Sequence, residues 1–306
     1  ADLGLEGRED SSADMISLGQ SKRVAIARAI WAGAKVLFLD EPLSGLDRNG
    51  IESVVKYLRR DHGYEVHTEI AVSPEDDIEL RRVRITNMAR TRRTIDVTSY
   101  AEVVLAPDGA DAQHPAFSNL FVQTEILPRQ QAILCTRRPR SRQEHPPCMV
   151  HLIAVHGGSA VEVSYETDRL RFVGRSHAIA EPEAVTGIGG APPGALSGTE
   201  GSVLDPIVAI RCRLTLDPYE SVTLNMMTGV GETREIAVGL ADKYQDRRLA
   251  DRVFELAWTH GQVLLRQLNA TESDAQLYGR LASSIIYANA SLRADPRIII
   301  ENRRGQ

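Results

Sequence analysis

The chain has 306 residues, a formal net charge of −5, 42% apolar residues and 25% charged residues. These values suit a soluble globular protein of two domains and give no global attraction to nucleic acid. No apolar run approaches about 18 residues, so no membrane span is expected, and three scattered cysteines (Cys135, Cys148, Cys212) argue against a disulfide framework or a zinc site and for a reducing, cytoplasmic compartment.

From the N-terminus, Ser17 precedes "LGQSKRVAIARAIWAG", where Val24, Ala27, Ile30 and Trp31 fall at helical spacing. A serine before such a run marks a helix start, and Gly33 supplies a stop. "KVLFLDEP" is short and apolar up to two carboxylates, as expected of a strand buried on both faces. "LSGLD" turns the chain into "RNGIESVVKYLRR", an amphipathic helix through Ile51, Val54, Val55 and Leu58. Residue usage then changes sharply. Up to residue 56 there are three lysines and four arginines; beyond it a single lysine, Lys243, stands against 28 arginines. The change marks two pieces of different sequence history, joined near residues 57–61.

The first piece, residues 1–58, resembles the C-terminal half of an ABC-transporter ATPase cassette. "ISLGQ" resembles its signature motif, with Leu18 where glycine is usual, "VLFLDE" its Walker B strand and "SGLD" the loop that follows. The resemblance implies that Asp40 holds Mg²⁺ and that Glu41 polarises the attacking water. It implies that Ser17, Gly19 and Gln20 touch the γ-phosphate of a nucleotide on a second subunit, and that Asp47 lies at the subunit junction. A serine and a glycine at a helix start do present N–H groups to an anion. The phosphate loop of such ATPases needs G-x-x-x-x-G-K-[ST], yet the four lysines follow Ser21, Ala34, Val55 and Asp242. The switch histidine is also missing, with Pro74 near its place. Mg-ATP is therefore expected only under the alternative reading, an ATP-binding fragment of an ABC transporter; otherwise no cofactor is expected.

From Glu65 the apolar period becomes two. "EVHTEIAV", "IELRRVRIT", "RTIDVTSYAEVVLA", "LFVQTEIL", "AILCTR", "VHLIAVH", "AVEVSYE", "IVAIRCRLTL" and "SVTLNMM" alternate or run apolar for strand length. So many strands without intervening helices predict an antiparallel sandwich. The Gly/Pro/Ser-rich stretch 185–202 is too long for a simple turn and reads as functional or mobile. After about Glu235 the period returns to 3.6. "DRRLADRVFELAWTHGQVLLRQL" places Leu249, Val253, Ala257, Leu264 and Leu268 near one face, and Thr271-x-x-Asp274 is a capping box opening a further helix.

Residues from about Asp61 to Gln306 resemble the glycoside-phosphorylase-like region of bacterial cyclic β-1,2-glucan synthases, which is related to cellobiose and chitobiose phosphorylases. The stretches that carry the resemblance include "TEIAVSPEDDIELRRVRITN", "YETDRLRFVGR", "GSVLDPIVAIRCRLTL" and "KYQDRRLADRVFELAWTH". The resemblance implies a β-sandwich (supersandwich), a helical linker and then an (α/α)₆ barrel. Its catalytic acid is expected beyond residue 306, so no catalytic residue is assigned within the chain. The expected fold is mainly β: an α/β fragment of a P-loop ATPase over 1–58, a carbohydrate-associated antiparallel sandwich over 59–240 and linker helices over 241–306. The implied partners are a β-glucan oligosaccharide and a second copy of the chain, packed through the sandwich.

Within this frame "YETDRLRFVGR" is the candidate sugar-binding loop. Arg169 and Arg175 can hydrogen-bond hydroxyls or phosphate, Asp168 can fix a hydroxyl pair, and Tyr165 or Phe172 can stack on a ring. The competing reading is structural: an Asp168–arginine pair at a strand end, with the aromatics in the core. "RRPRSR", residues 137–142, reads as a solvated basic turn with no aromatic platform beside it. His151 and His156 fall on opposite faces of one strand and cannot chelate together. The leading function is a carbohydrate-binding sandwich and linker; a non-catalytic oligomerisation module is a further alternative.

Overall fold

The computed structural model describes residues 63–141, 143–187, 193–286, 294 and 296–301. The expected ATPase-like piece, residues 1–58 with Ser17, Gly19, Gln20, Asp40, Glu41 and Asp47, lies outside them.

Strand-length runs of alternating or continuous apolar residues form the expected strands. These are β1 (Tyr64–Val72), β2 (Ile78–Asn87), β3 (Arg93–Thr98), β4 (Ala101–Glu102), β5 (Val122–Leu127), β6 (Ala132–Arg137), β7 (Cys148–His156), β8 (Ser159–Asp168), β9 (Pro206–Leu216) and β10 (Ser221–Gly231). All pairings are antiparallel. One sheet has six strands in the order β1-β2-β10-β7-β6-β5. In the other, β9 is central, with β8 on one edge and β3 then β4 along the opposite edge. The segment read as one strand over 93–106 is therefore split at Ser99 and Tyr100. Two short helices, α1 (Asp108–Gln113) and α2 (Pro115–Asn119), interrupt the run where no helix was expected. At five or six residues neither is long enough to show a helical period.

The fold has three layers, with apolar cores on both faces of the six-stranded sheet. Between the sheets pack Ile85, Ile133, Ile153, Val222 and Leu224 from one side and Val208, Ile210, Cys212 and Leu214 from the other. Strand alternation sends Leu80, Leu134, Val150, Leu152 and Met227 to the opposite face of the six-stranded sheet. There they meet α5 (Arg234–Tyr244), through Ala237, Leu240, Ala241 and Tyr244, and the first turns of α6 (Arg247–Gln267), through Ala250 and Val253. This double burial is why β6 and β7 read as continuous apolar runs. Between β8 and β9 the chain forms α3 (Arg169–Val173) and α4 (Glu183–Thr186). Beyond α6 come α7 (Glu272–Ile286) and α8 (Pro296–Glu301).

Helix α5 spans residue 240, so the expected boundary between sandwich and linker falls inside a helix that belongs to the sandwich core. Gly231 permits the close approach of β10 to it: a Cβ there would lie 2.8 Å from the Ala237 nitrogen. Lys243 pairs with Asp76 at 2.6 Å, and the Tyr244 hydroxyl bonds the same carboxylate, fastening α5 to the β1–β2 turn. At the corner where the chain passes between sheets, buried Asn87 donates to the carbonyls of Thr91, Leu216 and Asp217. The capping box forms as expected: Asp274 accepts from the Thr271 amide at 2.8 Å, and Thr271 accepts from the Asp274 amide at 3.3 Å.

The second half of α6 departs from the expected buried stripe. Leu264 and Leu268 are exposed, because the helix outruns the sheet on which its first turns lie. No helix among the described residues is long and apolar enough to cross a membrane. All three cysteines are unpaired and buried, and burial pushes the Cys135 and Cys212 thiols up to about 12, so neither serves as a thiolate near neutral pH.

Candidate functional site

The outer face of the smaller sheet carries the candidate site. Strand β8 alternates Tyr165 inward with Ser164 and Glu166 outward, and β9 alternates Ile210 and Cys212 inward with Arg211 and Arg213 outward. At the end of β8, Asp168 caps α3 by accepting from the Leu170 amide at 2.9 Å. Gly174 ends the helix at φ +84°, in a left-handed region that only glycine adopts easily, and a Cβ there would run into the Glu183 side chain. Gly174→Ala is therefore expected to cost about 1–3 kcal/mol in urea unfolding, through strain and displacement of α4.

The described ends of the long Gly/Pro/Ser stretch are docked. The Leu196 amide donates to Ser164 Oγ at 3.1 Å, the Gly198 amide to the Tyr165 carbonyl at 2.8 Å and the Gly201 amide to the Thr124 carbonyl at 2.8 Å. The last bond reaches the six-stranded sheet, so the stretch clasps the two sheets together at this end.

Between α3, α4 and residues 193–197 lies a cavity of about 600 Å³, lined by Glu166, Arg171, Arg175, Glu183, Ser197 and Arg211 among others. Its floor holds two buried charges. Glu166 is 2% exposed and accepts from the Thr167 and Asp168 amides at 2.9 and 3.0 Å and from the Ser197 hydroxyl. Arg211 is 3% exposed and donates to Thr98 Oγ1 at 3.0 Å, the Gly194 carbonyl at 2.6 Å and the Ala184 carbonyl at 2.5 Å. Beside it Arg213 grips Asp96 through two bonds, of 2.8 and 3.0 Å. Arg171, Arg175 and Glu183 present ionic groups at the rim, so the arrangement suits a polyhydroxylated ligand held by hydrogen bonds.

Of the five residues picked from the sequence, Arg175 alone lines this cavity. Tyr165 is half-buried against the core between the sheets, and burial raises its pKa. Phe172 is 2% exposed and packs on Tyr100 with ring centroids 5.0 Å apart. Phe172 offers no free face to a sugar and fits the competing core reading, while Tyr165 is partly buried on the core side of β8. Arg169 turns away from the cavity into a separate cluster, bonding Glu102 at 3.2 Å and lying 3.6 Å from Asp205. There burial, before any other cause, pushes the Tyr100 hydroxyl up to about 12. Asp168 caps α3 and lies 3.9 Å from Arg171, the strand-end carboxylate–arginine pair of the structural reading.

Glu166, Glu183, Ser197 and Arg211 escaped the sequence reading. The only available signal was period two in "IRCRLTL", which leaves Arg211 and Arg213 on one face; nothing local shows that loops cover that face. The basic turn needs correction as well. Pairing of Val122 with Arg137 brings Phe121 beside it, with Arg137, Arg138 and Arg140 at 5.3, 5.5 and 5.9 Å from its ring, and Arg137 is buried and bonded to the Ser118 carbonyl. His151 faces the smaller sheet, bonding Ser99, and strand alternation places His156 on the other face. Among the described residues no cluster of histidine, cysteine or carboxylate side chains is arranged to hold a metal.

Comparison with known proteins agrees with this architecture. Residues 51–247 match the glycosyl hydrolase 94 supersandwich domain, and residues 1–44 match the ABC transporter family. Over 231 residues the chain is 35% identical to the cyclic β-(1,2)-glucan synthase of Rhizobium meliloti, covering 76% of this chain but 8% of that protein. An 83-residue stretch is 40% identical to a macrolide export ATP-binding/permease protein of Mannheimia succiniciproducens, covering 27% of this chain and 13% of that one. Among solved structures, a putative kojibiose phosphorylase from the human microbiome aligns with a TM-score of 0.32 and 8% identity over 64% of this chain and 21% of that one. With a two-sheet antiparallel sandwich backed by helices and a family match over most of its length, the chain belongs to the glycosyl hydrolase 94 supersandwich-domain family, preceded by a segment similar to ABC-transporter ATPases.

Proposed function

We propose that the sandwich binds a β-glucan oligosaccharide in the cavity between α3, α4 and residues 193–197. The observation that carries this reading is the two buried, hydrogen-bonded charges, Glu166 and Arg211, at a cavity rimmed by Arg171, Arg175 and Glu183. The synthase named above supplies the sugar class. Arg175 and Glu183 contact hydroxyls, while Asp168 caps and so orients α3. With Phe172 buried and Tyr165 packed toward the core, hydrogen bonds carry the affinity, and a weak complex follows. In this reading the protein works in a reducing compartment and associates with a second copy through the sandwich.

Calorimetric titration of the full chain with a β-1,2-linked glucooligosaccharide tests it. Saturable binding is expected, weakened about tenfold by joint substitution Arg175→Ala and Glu183→Ala and left unchanged by Arg169→Ala. No saturable heat for the wild type, or equal loss from Arg169→Ala, would reject the cavity.

The match over residues 1–44 favours a second reading, in which this segment binds Mg-ATP through Asp40 and Glu41. A heat of ATP binding abolished by Asp40→Ala would support it; none in either protein would remove it.

A further inference from the structure

Strand β1 forms one edge of the six-stranded sheet. It is nine residues long, and among the described residues no strand pairs with its outer side. Edge strands are usually protected by lysine, proline, a bulge or brevity. "YEVHTEIAV" has no lysine and no proline, and its pairing with β2 runs without a register shift from Tyr64 to Val72. One face of the strand is apolar and open, with Val66, Ile70 and Val72 at 58%, 56% and 68% exposure. The other face carries Glu65, His67, Glu69 and Ala71.

We infer that β1 pairs antiparallel with β1 of a second copy about a two-fold axis at Thr68, joining two six-stranded sheets into one. This rests on the reading that two copies associate through the sandwich and names the surface they use. Directly opposed residues of an antiparallel pair share a face, so a two-fold at Thr68 sets Val66 against Ile70 of the partner subunit and Tyr64 against Val72 of the partner subunit. On the other face it sets His67 against Glu69 of the partner subunit, twice over, where the imidazole N–H donates to the carboxylate; within its own subunit Glu69 also lies 4.0 Å from Arg82. Glu65 meets Ala71 of the partner subunit, so no like charges oppose. Neighbouring registers are worse. A two-fold at His67 opposes Glu65 and Glu69 of the two copies, and one at Glu69 opposes the two Glu69 carboxylates. A one-residue slip sets the apolar face against the polar one. On the polar face α6 packs over Ala71 and, through Asp251 and Phe254, on Arg82 of β2, the residue paired with Glu69.

Sedimentation of the full chain is expected to show a monomer–dimer equilibrium. His67→Glu should weaken the dimer at least about tenfold by opposing two carboxylate pairs. The swap His67→Glu with Glu69→His restores the pairs in reverse and should return the dissociation constant to within about threefold of wild type. Thr68→Cys places the only exposed thiol on the axis, at an antiparallel Cα separation that a disulfide spans, and should cross-link under mild oxidation. A dimer in which the swap fails to rescue and the Thr68→Cys variant fails to cross-link overturns the β1 register while leaving association through the sandwich standing. A monomer at the highest attainable concentration overturns both. Sugar binding is measured separately and decides neither.

Discussion

Replacing Arg211 with methionine should lower the unfolding free energy by about 3 kcal/mol and open the segment around residues 174–198 to trypsin at Arg171 and Arg175. The side chain is the tie between β9 and two separate stretches of the covering loop, through Ala184 and Gly194. Methionine keeps much of the volume but donates no hydrogen bond, so two carbonyls and the Thr98 hydroxyl lose their donor. The positive charge facing that end of the cavity disappears at the same time. Stability is read from chemical denaturation and loop undocking from the tryptic pattern, with Arg213→Met as the comparison. Arg213 is 36% exposed in its side chain, bonds Asp96 across a partly solvated surface and reaches the loop through one bond, to the Pro193 carbonyl at 3.1 Å, so its loss should cost about 1 kcal/mol and expose the loop less than the loss of Arg211 does. Equal effects from the two arginines would contradict the tie.

Between pH 6.5 and pH 4 the protein should lose on the order of 3 kcal/mol of stability from one side chain, His151. It lies between the sheets, with Nδ1 2.9 Å from Thr228 Oγ1 and Nε2 2.9 Å from Ser99 Oγ. Burial, and then the nearby Arg81, push its pKa down from 6.5 to about 4. The folded ring is neutral over a range in which the unfolded chain takes up a proton. Its stabilisation is complete above the unfolded value and is lost as pH falls through the folded one. Carboxylates add their own acid sensitivity, so the comparison with His151→Leu isolates the histidine. At neutral pH the variant is expected to be about 2 kcal/mol less stable, because two hydroxyls lose a partner. By pH 4 the gap should close or reverse. A constant gap across the range would mean that His151 does not titrate differently in the two states.

The strands were legible because residues two apart share a face and each buried face must be apolar, one face in most strands and both in β6 and β7. β9 shows it plainly, with Ile210, Cys212 and Leu214 inward and Arg211 and Arg213 outward. The motif-bearing residues before position 59 were legible for a different reason, since their chemistry depends on local spacing. The cavity was not legible. Glu166 and Arg211 lie on neighbouring strands, brought together by the β8–β9 register, and no local pattern relates them. Phe172 was misread for the same cause: an aromatic ring in a strand–helix corner suits a core and a sugar platform equally well. The sequence by itself therefore determined the sandwich, its helical sequel and the two-part ancestry. Only the tertiary structure decided which side chains face a ligand, because burial depends on what the rest of the chain lays over each face.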